Sequence, residues 1–544
     1  MDGSRSSAAP GALSRALTWA LGLALLVVAG LVLTAWHRPE WFHTVDSAIY
    51  LLTSSSLAEG EGYTYLGRPF FVRPPGLSTM LATVGLAERP FDFAALNRFI
   101  GFWAVLALAA VTAVLVRLHG RLVGLGLALA FALNPLFVGS LNKVIAELPF
   151  TALFYAGLWL LLERRRPAEG AGPLDAPVEV PEAPASGDAT AVGPGRGALA
   201  AAVLLLVVSL YVRTIGVLLV PALVLHDLLR RRGRPGARSV AALLLVLGVL
   251  PWVLHGRAAA EQAEKPSTQL LMYDYATAYF HVDTRDPDSA LVDLDGWKER
   301  VAGNAAELSR FLTYAFTGRP FDGLQPLGTF HAVGGALVAL ALLVTWVGRR
   351  SLADLYAAAY AVLLLTYFTT TDRLLAPALP LVLSAMAFAL GGLGRLLEKT
   401  APGTPVRSLL LSLAGLGYLA VVVPLIGPAL QVQGLRVVWK ADDLHTAAWV
   451  EEHLPEDARL LHERGAILSV LTGRTTYTFR NLPGPWPRGA PEVDWALFSP
   501  RPGLEPAEKR IREVAPPPVS VPFDWMGRPS TLRVYDLRDV DQTP

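Results

Sequence analysis

The feature that most constrains this chain is a series of apolar runs, each close to the roughly 20 residues needed to cross the hydrocarbon core of a bilayer. About eleven can be placed on that length rule, near residues 16–36, 97–116, 122–139, 145–163, 198–211, 214–229, 239–255, 329–347, 352–370, 374–393 and 408–428. In lipid each segment must satisfy its backbone hydrogen bonds internally, so the runs are expected to be helices packed into a bundle. At 53% hydrophobic and 17% charged residues, the chain reads as a mostly α, polytopic membrane protein. It has no cysteine, which excludes a disulfide framework, a thiolate metal site and a cysteine nucleophile. No internal repeat, P-loop, G-x-S-x-G or H-E-x-x-H pattern is present.

The placement of charge orients the bundle. Arg117 and Arg121, Arg164 to Arg166, Arg230 to Arg234 with Arg238, Arg349 and Arg350, and Arg395, Lys399 and Arg407 flank short loops. With eleven spans all of them share a side with Arg5 and Arg15, as the positive-inside rule requires. The expectation is a cell (inner) membrane protein with a cytoplasmic amino terminus and an extracytoplasmic carboxyl terminus. The 37–96 loop, the 140–145 turn, the junction at Arg213, the 256–328 loop and the turn at Thr371, Asp372 and Arg373 then meet on the outer face. The fifth and sixth runs are short and share Arg213, so 198–229 reads either as two spans or as one broken helix, and the second reading reverses the topology after it. The first run is read as an uncleaved anchor rather than a signal peptide.

Residues 164–197 are rich in Pro, Ala, Gly and acids without a hydrophobic period and read as a disordered cytoplasmic insert. Two domains are expected: residues 1–430, a transmembrane catalytic domain, and residues 431–544, a small extracytoplasmic α/β domain. In the latter, Thr446–Leu454 and Glu505–Val514 have helical spacing, and Ala458–His462, Val493–Phe498 and Ser530–Tyr535 read as strands. His445, His453 and His462 match no common metal spacing and read as surface or core histidines.

The stretch from Trp41 to Gly76, directly after the first span, holds the best candidates for chemistry. Asp46 lies in an otherwise apolar or small setting, Val45-Asp-Ser-Ala-Ile-Tyr50, where a carboxylate is either functional, neutralised by a partner, or the N-cap of a helix from Ser47 to Glu59. In Arg73-Pro-Pro-Gly76 the prolines stiffen the turn and fix the Arg73 direction, which suits phosphate binding as well as headgroup snorkelling. Glu147 begins the fourth span; it is a second candidate acid, or an anion at a helix N-terminus paired with Lys143. Arg213 and Arg373 are cations on the side where the positive-inside rule does not put them. With Arg73 they read as a phosphate-binding set, although Arg373 has Asp372 beside it. Tyr50, Tyr65 and His281 are loop candidates for binding an acceptor; His281, with His255, Tyr279 and Asp283, could bind a metal or the acceptor, and nothing in their spacing is specific.

Taken in order, Asp46, the Tyr50…Gly60…Pro69…Arg73-Pro-Pro-Gly76 run, Glu147, Leu210-Tyr-Val-Arg213-Thr-Ile-Gly216 and Asp372-Arg-Leu-Leu-Ala-Pro-Ala-Leu-Pro380 resemble the GT-C superfamily. More narrowly, the chain is similar to glycosyltransferase family 39, the protein O-mannosyltransferases and lipid A aminoarabinose transferases. The resemblance covers about residues 16–400 and implies a GT-C helical bundle. It also implies an inverting hexosyl- or pentosyltransferase that takes a sugar from a polyprenyl-phosphate donor to a lipid, glycan or protein acceptor in the cell envelope, with membrane lipids and no nucleic acid as partners. On that resemblance Asp46 matches the first-loop acid, acting on the acceptor or on a metal, Glu147 matches the second-loop acid, and Arg73 matches a basic residue contacting the carrier phosphate. Val72 stands where the aminoarabinose branch carries an acid associated with a divalent metal, and Ser47 stands where the mannosyltransferase branch has a second acid. The rival readings are a transporter or flippase for a lipid-linked substrate, which inverted repeats or paired broken helices would favour, and a catalytically inactive relative.

Overall fold

A computed structural model describes the chain apart from residues 1–8, 35–39, 163, 166–190, 193–194, 231–235, 264, 266–271, 318–327, 370–371, 401–405, 436, 479–492, 499–504, 514, 526–527 and 539–544. Each apolar run is helical: Ala9–Thr34, Phe93–His119, Arg121–Ala132 continued by Pro135–Val138, Glu147–Leu161, Arg196–Val212, Leu219–Arg230, Ala237–Glu261, Thr329–Gly348, Leu352–Thr366, Leu379–Thr400 and Val406–Leu435. Among the described residues, six helices are long and apolar enough to cross a membrane, and four further apolar helices, Arg121–Ala132, Glu147–Leu161, Arg196–Val212 and Leu352–Thr366, are shorter. Large apolar side chains such as Leu204, Leu243, Leu254, Leu337 and Leu416 face outward. An apolar surface of this extent is what lipid covers on a membrane protein.

Local chemistry sets where the helices start and stop. The Asp92 side chain accepts the Ala95 N–H at 2.9 Å and caps Phe93–His119. Gly120, at φ +80°, ends that helix and opens the next. A Cβ on Gly124 would lie 2.4 Å from Val116 Cα, so this hairpin closes only with a glycine there. Ser351 and Asp354 form a reciprocal capping box on Leu352–Thr366.

The structure resolves the ambiguity around Arg213. The residues flanking the insert pair with each other, Arg164 with Val192 and Arg165 with Ala191, so Arg196–Val212 begins beside the end of Glu147–Leu161. The chain then returns: Asp227 accepts Ser239 N–H at 2.8 Å and lies 3.8 Å from Arg238, whose Nη2 donates to Leu161 O at 3.1 Å. The start of Arg196–Val212 and the end of Leu219–Arg230 therefore sit at one end of the bundle, and Arg213 at the other. These residues make two passes, not one broken helix. The body of the insert lies outside the described residues.

The 256–328 loop is more ordered than its sequence suggests. It contains a 24-residue helix, Leu294–Thr317, which buries Leu308, Leu312 and Ala315; Asn304 Nδ2 donates to the carbonyls of Leu365 and Tyr367 at 3.0 and 2.6 Å.

After Val406–Leu435 come the helix Val437–His453 and a five-stranded sheet in the order Thr476–Thr478, Leu460–His462, Trp495–Phe498, Arg528–Asp536, Val519–Trp525. The first three strands are parallel, and the last two join antiparallel. The expected elements near 446–454, 458–462, 493–498, 505–514 and 530–535 are all present. The helix Gly465–Thr472 and the strands Thr476–Thr478 and Val519–Trp525 are additional. His445 and His453 are exposed, and His462 is buried in the sheet.

Candidate functional site: five charges at one end of the bundle

Five elements bring their charged residues to one place. Asp46 sits in the first turn of the helix Val45–Ala58. Its role there is not the cap: Thr44 is the N-cap, its hydroxyl accepting the Ser47 N–H at 3.0 Å within a capping box. The Asp46 side chain is thereby free to project, and Tyr50, one turn on, lies on the same face. Arg73 comes from the turn before the helix Gly76–Thr83. Tyr63 Oη holds that turn by donating to Arg73 O at 3.0 Å. A Cβ on Gly76 would stand 2.4 Å from Tyr211 O, so glycine is what lets the turn abut the helix end that delivers Arg213. Glu147 opens Glu147–Leu161, Arg213 is the extended residue between Arg196–Val212 and the 3-10 turn Thr214–Leu218, and Arg373 lies in the short helix Asp372–Leu375.

The pairing is continuous. Asp46 is bridged by two guanidiniums, Arg73 on Oδ1 and Arg373 on Oδ2. Arg213 Nη1 lies 2.7 Å from Glu147 Oε1, and Arg373 Nε lies 4.0 Å from the same oxygen. Arg373 thus stands between the two carboxylates. The alternative reading, Glu147 paired with Lys143, does not hold: Glu147 takes Arg213, and Lys143 Nζ sits over the Phe42 ring at 5.3 Å. The Asp372 side chain, the alternative partner for Arg373, lies outside the described residues.

Among the described residues, three cations face two anions in this cluster, an excess of one positive charge. Among the described residues, Arg73 Nη1 is buried without a hydrogen-bond partner, a donor available to a ligand. The Asp46 carboxyl is subject to burial, which opposes ionisation, but the Arg73 and Arg373 guanidiniums outweigh it and hold the group well below the usual carboxylate range. Such a surplus of fixed guanidinium donors matches a phosphate monoester or diester.

Tyr50 belongs to the site: the Arg73 guanidinium carbon lies 5.6 Å from its ring centroid. Tyr65 is buried in the short strand pair Thr64–Tyr65 with Arg68–Pro69 and packs against Phe70; it supports the loop. His281 is held within its own loop, Nδ1 against Ser289 O at 2.8 Å and its backbone bridged to Leu291. Sequence reasoning missed Tyr63, whose one signal was its place in the polar run before Arg73.

The donor set does not fit the divalent metal implied by the resemblance. Both carboxylates are engaged by guanidiniums, and three such cations repel a divalent ion. Val72 is buried in the apolar core, and among the described residues no group of three or more His, Asp or Glu is placed to hold a metal.

The chain matches no protein-family model, and no curated protein is found as its relative by sequence. Solved structures do match its fold. The crystal structure of ArnT from Cupriavidus metallidurans bound to undecaprenyl phosphate superposes with a TM-score of 0.54 at 12% identity, covering 96% of this chain and 99% of that one. The apo oligosaccharyltransferase of Archaeoglobus fulgidus superposes with a TM-score of 0.52 at 11% identity, covering 89% of this chain and 69% of that one. This chain therefore has the fold of the GT-C superfamily of membrane glycosyltransferases.

Proposed function

We propose that the protein is a glycosyltransferase that moves a sugar from a polyprenyl-phosphate carrier to an acceptor hydroxyl, with inversion, on the extracytoplasmic face of the cell membrane. The observation that carries this reading is the excess of guanidinium over carboxylate among the described residues at one end of a GT-C bundle, with a buried Arg73 Nη1 awaiting an acceptor. ArnT is named as binding undecaprenyl phosphate, and the same class of carrier fits the donors here.

In the reaction the acceptor oxygen attacks the anomeric carbon, the bond from that carbon to the phosphate oxygen breaks, and the carrier leaves as a phosphate monoester. Arg73, Arg213 and Arg373 neutralise the charge that develops on the leaving phosphate, so no acid has to protonate it. Asp46 takes the proton from the acceptor hydroxyl. In the resting pairing both its oxygens are committed to guanidiniums. A phosphate that draws Arg73 and Arg373 away returns basicity to Asp46, so the donor prepares the base that the acceptor needs. Glu147 fixes Arg213 and, through it, the far side of the phosphate subsite.

The test is transfer from radiolabelled polyprenyl-phosphate sugars by purified protein supplied with membrane extract, comparing wild type with Asp46→Asn and Arg73→Ala. Label appearing in an acceptor with wild type and lost in folded Asp46→Asn supports the reading. No donor consumption by wild type, or full activity of Asp46→Asn, refutes it.

A further inference from the structure

The carboxyl-terminal domain reaches back to the segment that carries Asp46. The helix Gly465–Thr472 lies against Val45–Ala58, and its Ala466, Ile467 and Val470 join the apolar core of the bundle rather than that of their own sheet. At the edge of this contact Asp443, on Val437–His453, receives two partners on one oxygen: His43 Nδ1 at 2.9 Å and Arg464 Nη1 at 2.5 Å. Arg464 Nη2 also donates to the His43 carbonyl at 3.3 Å. His43 and Asp443 are 4% and 2% exposed, so water does not screen the contact as it does on a surface. His43 in turn packs on Trp41 at 4.5 Å between ring centroids, and Trp41 Nε1 donates to Ser47 Oγ at 2.9 Å. The next residue is Thr44, the cap of the Asp46 helix.

We propose that His43, Asp443 and Arg464 are positioning residues through which the carboxyl-terminal domain sets the placement of the Asp46 helix, and so of the proposed base. The inference rests on the transferase reading of the site. Its physical ground is direct. The helix start is fixed from inside by the Thr44–Ser47 box and from outside by the His43 side chain and carbonyl, both held by one buried carboxylate and one guanidinium. Loss of the outer hold lets the first turn shift, and a displacement of about 1 Å at a reacting group costs on the order of 10²-fold in rate. The phosphate-binding Arg73, Arg213 and Arg373 stand on other elements, so donor binding is affected less than the placement of the base.

The experiment compares wild type, Asp443→Ala, Asp443→Asn and His43→Ala in full-length protein. Asp443→Ala should lower kcat by about ten- to a hundredfold, with KM for the polyprenyl-phosphate sugar changed by less than about twofold. Asp443→Asn, which still accepts from Arg464, should recover much of the loss. Hydrogen exchange should rise in the amides of 45–58 while those of Glu147–Leu161 keep their protection. His43→Ala breaks the contact from the other side without touching the sheet domain and should give the same pattern should Asp443→Ala fail to fold. An unchanged kcat, a loss confined to KM, or unchanged exchange in 45–58 overturns the proposal. If wild type consumes no donor, the transferase reading fails; the exchange arm then still decides whether the domain holds the helix.

Discussion

Replacing Arg373 with glutamine tests the cluster most directly, because Arg373 touches one carboxylate and approaches the other. The substitution keeps the approximate length of the side chain and removes its charge and forked donor. A charge-assisted hydrogen bond contributes about 1.5–3 kcal/mol, and each 1.36 kcal/mol is tenfold, so its loss from a bound phosphate corresponds to about 10- to 100-fold. Arg373 is 29% exposed and Asp46 20%, so water screens part of the interaction and the lower half of that range applies. The assay is steady-state transfer over a pH series, read as kcat/KM for the donor. A second readout follows from the same contact. In wild type the two guanidiniums hold the Asp46 carboxyl below the usual carboxylate range, so activity should persist as pH falls to about 4, where ordinary carboxylates titrate, and decline only below that. With Arg373 gone the folded-state pKa rises, and the acid limb of the profile moves to higher pH. Stability follows the same sign. A carboxyl held low in the folded state contributes stability above its unfolded pKa, and that contribution fades as pH falls through the folded pKa. A change in kcat/KM smaller than about twofold, or an acid limb that stays in place or moves to lower pH, would refute the assignment of Arg373.

Three further outcomes are expected. Asp46→Asn should lower kcat by about 10²–10⁴-fold with the donor still bound, measured by retention of labelled carrier phosphate on the purified protein. Gly76→Ala places a methyl group 2.4 Å from the Tyr211 carbonyl and should destabilise the protein by about 1–3 kcal/mol, as overpacking does, seen as a lowered Tm in detergent alongside reduced transfer. Treatment with EDTA should leave transfer within about twofold of the untreated rate, because the three guanidiniums of the cluster repel a divalent ion; a loss that added divalent ion restores would refute that account.

Much of this architecture is legible in the sequence because the signals are local. A run of apolar residues forces a helix in lipid whatever surrounds it, and Asp92, Gly120 and Ser351 mark helix ends by their own capping chemistry. Asp46, Arg73, Glu147, Arg213 and Arg373 could be singled out because a charge near an apolar span is costly enough to need a reason. What could not be read was pairing. Lys143 is four residues from Glu147 and the nearest cation in the chain, yet Arg213, 66 residues away by number, takes the carboxylate, since the helix termini converge only in three dimensions. Thr44 rather than Asp46 caps the first-loop helix, and either residue type satisfies the local rule. The helix Leu294–Thr317 was hidden by its charge, although Trp297, Val301, Leu308 and Leu312 recur on a helical spacing. The contact of His43 with Asp443, 400 positions apart, left no trace in either local sequence.

The reversal at Arg213 also bears on how such a chain can change length over time. At that end of the bundle two passes meet at a single extended residue whose side chain is fixed to Glu147 at 2.7 Å. One residue inserted into Arg196–Val212 would turn Arg213 by about 100° and shift it by about 1.5 Å, which breaks that contact. At its other end Arg196–Val212 is separated from the preceding pass, Glu147–Leu161, by a long Pro- and Ala-rich stretch whose flanks are already paired at Arg164 and Val192. Insertions and deletions there leave the register of every charged residue in the cluster untouched. Among descendants of this chain, gaps should gather between residues 166 and 190 and be excluded from 196–218.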